Sequence, residues 1–135
     1  ALEIIRQNEA DGLVLQPNNY QKLDFICSCC GCCCGVLKIQ KILPNPAVQW
    51  AHNFYAAVTA DLCTGCGICV EKCQVNAVLI EEQTGCAAIN LDRCIGCGNC
   101  VENCPSDAMQ LVKVEAEAAP PEEKFDLYRI LAEKG

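Results

Sequence analysis

Two short cysteine runs constrain this chain more than any other feature of its sequence. The first run consists of Cys63, Cys66, Cys69 and Cys73, and the second of Cys94, Cys97, Cys100 and Cys104. In each run the first three cysteines are three positions apart and the fourth follows four positions later. Three sulfur atoms with this spacing on a tight loop can reach three corners of one inorganic cube, whereas the fourth points elsewhere. The spacing therefore predicts cubane iron–sulfur clusters in a chain that carries electrons.

The two runs belong to a longer internal duplication. At the constant offset that separates Cys63 from Cys94, the surroundings of the first run recur in the second. The recurring residues are Asp61, Cys63, Gly65, Cys66, Gly67, Cys69, Val70, Glu71, Cys73 and Ala77. The repeated glycines suit a loop that folds around a cube, because such a loop needs left-handed backbone and close backbone approach. We therefore expect the two runs to form equivalent loops.

In these runs and in this repeat, residues from about 54 to 114 resemble the bacterial 2[4Fe–4S] ferredoxins. The resemblance implies an α+β, two-cluster, pseudo-twofold domain in which the fourth cysteine of each run serves the other run's [4Fe–4S] cluster. It assigns Cys63, Cys66, Cys69 and Cys104 to one cluster, and Cys94, Cys97, Cys100 and Cys73 to the second. The chain departs from the family at Gln74, where proline usually follows the fourth cysteine, as Pro105 does in the second run. We expect a looser turn there but no lost ligand.

A further segment places six cysteines within eight positions, and they are Cys27, Cys29, Cys30, Cys32, Cys33 and Cys34. This number exceeds what one cubane can use, and we predict a third metal centre, most simply an iron–sulfur cluster. Cys27, Cys30 and Cys33 repeat the three-position step, but the spacing does not select the ligands. A zinc site and a dithiol or disulfide switch remain open as alternatives. The segment is similar to modules that precede two-cluster ferredoxin domains in anaerobic bacterial electron-transfer proteins.

Other uses of cysteine are less compatible with the eight cysteines of the two runs. The chain has 15 cysteines in 135 residues, a density that in a short secreted protein would suggest a disulfide scaffold. Disulfides, however, do not require two duplicated loops, and zinc needs neither a third cysteine step nor a crossed fourth ligand. A thioredoxin-like dithiol would want one Cys-x-x-Cys beside a βαβ pattern, which the sequence does not show.

The chain divides into three predicted parts. Residues 1–43 form an N-terminal helix and strand segment with the cysteine-rich metal-binding loop, residues 44–114 form the ferredoxin domain, and residues 115–135 form a linker and a C-terminal helix. The closely spaced Pro44 and Pro46 oppose both helix and strand, and they mark the first boundary. The C-terminal helix is short, and we expect it to pack back on the domain or onto another subunit.

Hydrophobic patterning predicts the local elements. Residues 1–11 form a weak amphipathic helix that Gly12 can end, and residues 13–15 are extended. Residues 47–54 form a short helix that carries Trp50. Residues 77–81 and 87–91 form a hairpin, residues 109–112 form another strand, and residues 122–134 form a charged helix.

The net charge limits the kinds of partner that this chain can bind. A formal net charge of −7 argues against binding nucleic acid or an anionic membrane, since neither is attracted to an acidic surface. No stretch approaches the roughly 18 to 20 apolar residues that a membrane-spanning helix needs. We expect a cytoplasmic protein whose redox partner, an oxidoreductase, presents a basic docking surface.

These observations favour the transfer of single electrons through two [4Fe–4S] clusters, and through a third centre at residues 27–34, to a partner oxidoreductase. We identify no catalytic residues, because the chain has one histidine and no visible nucleophile and base pair. Two alternatives are kept. The chain is a reductase subunit with a catalytic cluster at residues 27–34, or it is a regulatory protein that senses redox state with its clusters.

Overall fold

Short helices alternate with short strands along the chain. The computed structural model describes residues 1–48, 52–115 and 119–134. Within these residues the helices are α1 (Leu2–Ala10), α2 (Gly35–Ile42), α3 (Ile68–Lys72), α4 (Asn99–Glu102) and α5 (Lys124–Lys134). The strands are β1 (Val14–Pro17), β2 (Ile26–Cys29), β3 (Phe54–Val58), β4 (Val78–Ile80), β5 (Ala87–Ile89) and β6 (Met109–Lys113). The α+β class is therefore confirmed.

The strands form three antiparallel pairs, each of two strands. β1 pairs with β2, β3 with β6, and β4 with β5. The hairpin of β4 and β5 confirms the prediction from alternating apolar residues, with Val78 opposite Ile89. β6 is also confirmed as a strand, and its first residue, Met109, is the repeat equivalent of Val78 at the start of β4.

One predicted element is wrong. The described residues of the range 47–54 do not form the predicted helix: Pro46–Val48 is a 3₁₀ turn, and β3 already begins at Phe54. Aromatic and β-branched residues favour β3 locally, and its pairing with β6 satisfies the backbone hydrogen bonds that a helix would have made itself. Trp50, which the predicted helix would carry, lies outside the described residues.

The helices at the two ends of the chain confirm the predictions for them. α1 ends at Ala10, and Gly12 follows in a left-handed conformation with φ of 78°, which is the usual stop signal of a helix. Before α5, the backbone N–H groups of Gln21 and Lys22 donate to the carbonyl oxygens of Pro121 and Glu122. The C-terminal segment therefore packs back on the N-terminal part of the chain. No helix in the described ranges is long and apolar enough to cross a membrane.

One hydrophobic core joins the N-terminal segment to the duplicated part. Val14 and Leu37 are 2% and 0% exposed, and they belong to the same buried cluster as Val75, Ala56 and Met109. Alanines and cysteines make up much of the remainder of this cluster, which includes Cys69, Cys94 and Cys100. The duplicated part thus contributes few large apolar side chains to the core, and cysteine sulfur atoms form part of its interior.

Arg93 fastens the end of α2 to the duplicated part. Its guanidinium donates to the carbonyl oxygens of Leu43 at 2.9 Å, Gln40 at 3.0 Å and Lys41 at 3.1 Å, and its Nε donates to that of Val75 at 3.1 Å. The last carbonyls of a helix have no partner within the helix, so they need donors from elsewhere. A positive charge at this end is also favoured by the helix dipole. Arg93 therefore caps α2 across the boundary between the two parts.

Arg93→Leu tests this cap, because leucine is the residue at the matching position of the first repeat, Leu62. We expect the free energy of unfolding to fall by about 2 kcal/mol, since several partly buried carbonyl oxygens lose their donor. Denaturation of the anaerobically kept protein followed by circular dichroism measures the change. Leu62→Arg is the matched control, because Leu62 is 51% exposed, and it should change stability by less than about 0.5 kcal/mol. Equal loss in both variants would contradict the proposed cap.

Candidate functional site

The first of two sulfur-lined cavities contains cysteines from both runs. Its cysteines are Cys63, Cys66 and Cys69 of the first run and Cys104 of the second, around a volume of about 310 Å³ counted to its open mouth. Small and apolar residues line most of the remainder, among them Ile80, Ala87, Pro105 and Met109. The structure thus brings together the four cysteines that the resemblance assigns to one cluster. We call this cavity the first site.

The second site mirrors this arrangement. Its cysteines are Cys94, Cys97 and Cys100 of the second run and Cys73 of the first, around a volume of about 330 Å³ counted in the same way. Its lining includes Val75, Val78 and Ile95 and one buried polar residue, Asn99. Again the fourth cysteine comes from the opposite run.

Backbone N–H groups point at the cysteine sulfur atoms and cross from one repeat to the other. Ala87 donates to Sγ of Cys63 at 3.4 Å, and its repeat equivalent, Ala56, donates to Sγ of Cys94 at 3.3 Å. Within the first repeat, Ala77 donates to Sγ of Cys73 at 3.1 Å. Such donors stabilise a thiolate, and the N–H groups of Ala87 and Gly65 lower the pKa of Cys63.

Burial opposes ionisation at other positions of the two sites. Cys69, Cys94 and Cys100 are buried, whereas Cys66 and Cys97 are exposed. Desolvation raises the pKa of Cys100 to about 12, and it also raises the pKa of Cys69. Because metal ions bind thiolates rather than thiols, occupation of these sites must displace protons from the sulfur atoms of Cys69 and Cys100.

Cys104, the cysteine that crosses to the first site, is an exception. Burial raises its pKa, but hydrogen bonds from Ser106 and from the backbone of Met109 and Ala108 outweigh burial, and the pKa of Cys104 is lowered overall. The loop after the second run therefore supplies this sulfur atom in a form suited to a metal.

The six-cysteine loop (residues 27–34) divides into two groups of sulfur atoms. Cys30 and Cys32 are joined by a disulfide, and Sγ of Cys33 lies 3.4 Å from Sγ of Cys30. These three sulfur atoms lie within 4.8 Å of one another, which is close enough to share a metal ion when the disulfide is open. The three-position step of Cys27, Cys30 and Cys33 is therefore not the grouping that the fold produces.

The second group lies where β2 ends and α2 begins. Burial, together with hydrogen bonding to Cys34, raises the pKa of Cys29 to about 11. The backbone N–H groups of Leu37 and Val36 in the first turn of α2 lower the pKa of Cys34 against the effect of burial, and the Cys29 thiol lowers it further. Cys34, at the N-cap of α2, is thus the sulfur atom of this pair that carries negative charge more readily.

Two polar residues near the second site have roles that we did not predict. Asn99 is 4% exposed and donates from Nδ2 to the carbonyl oxygen of Gly12 at 2.8 Å. Gln74, where we expected only a looser turn, bonds to Gly12 and to Gly31 of the six-cysteine loop. The available signal was that both break the repeat, since the matching residues are Ile68 and Pro105.

Gly65 in the first site allows a close approach between the repeats. It has φ of 67°, and a Cβ placed on it would overlap the backbone oxygen of Gly85. The matching Gly96 of the second repeat, with φ of 65°, approaches the backbone oxygen of Phe54 in the same way. Side chains are therefore excluded at both positions by conformation and by space.

Gly65→Ala and Gly67→Ala separate these two effects. Gly67 has φ of 79° but no atom within 4 Å of an added Cβ, so its substitution should cost only about 1 kcal/mol of backbone strain. Gly65→Ala should cost about 1 to 3 kcal/mol more, because a backbone oxygen must also move. Denaturation of both variants measures the difference. Equal destabilisation would show that the close approach has no energetic importance.

Comparison with known proteins agrees with this geometry. Residues 62–108 match the family model described as a 4Fe-4S dicluster domain, and this range contains all eight cysteines of the two sites. No curated protein matches the chain.

Proposed function

From the ferredoxin-type 4Fe–4S domain that this chain contains, we propose that it is a one-electron carrier with a [4Fe–4S] cluster in each of its two sites. The observation that carries the proposal is the crossed composition of the two cavities, each with three cysteines of one run and the fourth of the other. No histidine or carboxylate lines either cavity in the part of the chain that the structure describes. Ligand sets made only of thiolates select soft metal ions and iron–sulfur clusters.

When bound, such a cluster takes up and releases one electron at a time. The chain holds it with four thiolates and aims backbone N–H groups at sulfur, which tunes its potential. Ile80 and Met109 exclude water from the first site, and Val78 and Ile95 exclude it from the second. The exposed Cys66 and Cys97 bring one edge of each site to the surface, where a partner can approach closely.

The repeated backbone conformation supports the pseudo-twofold ferredoxin arrangement that we propose for residues 44–114. Asn76 and Asp107 occupy equivalent positions of the two repeats, and both have positive φ, of 56° and 52°. Positive φ is uncommon for residues other than glycine, so its recurrence at matched positions indicates the same turn in both repeats. The backbone bonds from Thr59 to Ala108 and from Asn90 to Ala77 are also matched, both at 2.8 Å.

For the six-cysteine loop we propose a third metal centre that forms when the Cys30–Cys32 disulfide is reduced. The cluster of Cys30, Cys32 and Cys33 supplies three ligands. A cubane or a zinc ion would need a fourth ligand as well. A second candidate function is favoured by the sulfur of Cys33 lying 3.4 Å from the disulfide. A thiol at that place suits thiol–disulfide exchange, so the chain would then be a subunit of a reductase with its catalytic group in this loop.

The proposed partner is an oxidoreductase with a basic docking surface, and the proposed location is the cytoplasm. The formal net charge of −7 supports an electrostatic encounter with such a surface. Added salt would weaken an encounter of this kind.

Anaerobic analysis of iron and sulfide, with electron paramagnetic resonance, tests the number of clusters. Two cubanes predict about eight irons per chain, and a third cubane predicts about twelve. Zinc analysis of the same samples identifies a loop that is occupied by zinc instead. Colourless material without iron, isolated without exposure to oxygen, would refute the proposed function.

Paired double substitutions test whether the ligands cross. Cys66→Ser with Cys104→Ser removes two ligands of the first site alone, so one of the two cubanes should remain, with about four irons. Cys66→Ser with Cys73→Ser alters the same number of residues but damages both sites, and iron should fall well below that of the first pair. Cys86→Ser is the control, because Cys86 lines neither cavity. The opposite order of iron contents would show that each run binds its own cluster.

A further inference from the structure

Three of the residues at which the two repeats differ contact the N-terminal segment. Gln74, Arg93 and Asn99 bond to it, whereas the matching residues are Pro105, Leu62 and Ile68, which lack side-chain hydrogen-bond donors. Lys72 and its repeat equivalent, Asn103, both bond to the end of α1, at the carbonyl oxygens of Ala10 and Glu9. The duplication is therefore unequal at the three pairs named first, and the polar member of each pair attaches the N-terminal segment.

Gln74 has the most direct position among these residues. Its Oε1 accepts a hydrogen bond from the backbone N–H of Gly31 at 2.7 Å, and its Nε2 donates to the carbonyl oxygen of Gly12 at 2.9 Å. Gly31 lies between Cys30 and Cys32, and Gln74 directly follows Cys73 of the second site. One side chain thus connects the middle of the six-cysteine loop to a residue next to a cysteine of the second site.

Gly31 is held tightly at this contact. Its carbonyl oxygen accepts a hydrogen bond from Nζ of Lys41 at 3.3 Å, so both of its backbone polar groups are bound. Gly31 is buried, and a Cβ on it would lie 2.7 Å from the backbone oxygen of Gln74. The six-cysteine loop therefore meets the backbone beside Cys73 directly.

Asn99 provides a second link between the N-terminal segment and the second site. It lines that cavity and shares the Gly12 carbonyl oxygen with Gln74. Of the two amide side chains that hold Gly12, that of Asn99 lines the second site and that of Gln74 belongs to the residue after Cys73. The matching residues of the other repeat are Ile68 and Pro105, which cannot make these bonds.

We infer that the six-cysteine loop works with the second site alone, and that Gln74 is the positioning residue that couples them. This inference rests on the proposed function. Electrons would pass one at a time between the second site and the redox group of the loop, and the Cys30–Cys32 disulfide would take up two electrons and two protons to give two thiols. The exposed edge of the first site would be left for the partner. A chemical change in the loop should accordingly shift the reduction potential of the second site and not that of the first.

Gln74→Pro tests the coupling, since proline is the residue that the second repeat carries at this position. After reduction of the disulfide with a phosphine, which takes up oxygen from water as the two thiols form, the loop is alkylated with iodoacetamide. Trypsin cleavage after Lys22 and Lys38 yields one peptide, residues 23–38, that contains all six cysteines of the loop. Loss of the Gln74 bonds should speed alkylation about tenfold. Pro105→Gln, at the matching position, should leave the rate unchanged.

The second readout is the reduction potential of each centre, followed by electron paramagnetic resonance before and after alkylation of the loop. The double variants at Cys66 with Cys104 and at Cys73 with Cys97 leave one centre each and so assign the signals. Alkylation should shift the potential of the second centre only, and Gln74→Pro should abolish this shift. An unchanged alkylation rate in Gln74→Pro, or equal shifts at both centres, would overturn the inference. Absence of iron would instead refute the proposed function, whereas the alkylation rates would still test the attachment.

Discussion

Hydrogen bonds from the backbone of one repeat to the cysteine sulfur of the other hold the duplicated part together. Ala87 and Ala56 make the matched pair of these bonds, and the fourth cysteine of each run also crosses. Neither repeat has enough large apolar side chains for a core of its own, since the buried cluster contains mainly alanine, valine and cysteine. Small domains of this kind usually depend on metals or disulfides for stability. We therefore expect binding of the cofactor and formation of the fold to be coupled.

The N-terminal segment is attached to the duplicated part through backbone carbonyl oxygens at the ends of its two helices. α1 and α2 both end against the duplicated part, and their terminal carbonyl oxygens accept hydrogen bonds from Lys72, Asn103 and Arg93. Helices as short as these are marginal alone. Their capping residues belong to the loops and helices that carry the cysteines, so the segment is ordered by the same part of the chain that forms the two sites.

Much of the site could be predicted from the sequence, because cysteine spacing reflects local loop geometry. The grouping of the first three cysteines of each run, the hairpin of β4 and β5, and the terminal helices follow from short patterns. The crossing of the fourth cysteine is instead what the resemblance to the two-cluster ferredoxins implies. β3 could not be predicted in this way, because its partner strand lies far along the chain, with Val58 opposite Met109.

The role of Gln74 shows a different limit. Its departure from proline is visible in the sequence but predicts only a looser turn, since nothing local indicates which distant backbone a glutamine amide will meet. The same is true of the six-cysteine loop, where the spacing of the cysteines does not select the ligands. The fold instead closes a bond between Cys30 and Cys32 across Gly31. Tertiary contacts decided both outcomes.

Arg93 also has a mechanical consequence. It directly precedes Cys94 in sequence, and its side chain closes the end of α2. A displacement of the backbone at Arg93 would carry these hydrogen bonds with it, so the loop that bears Cys94 and the last turn of α2 should move as one unit.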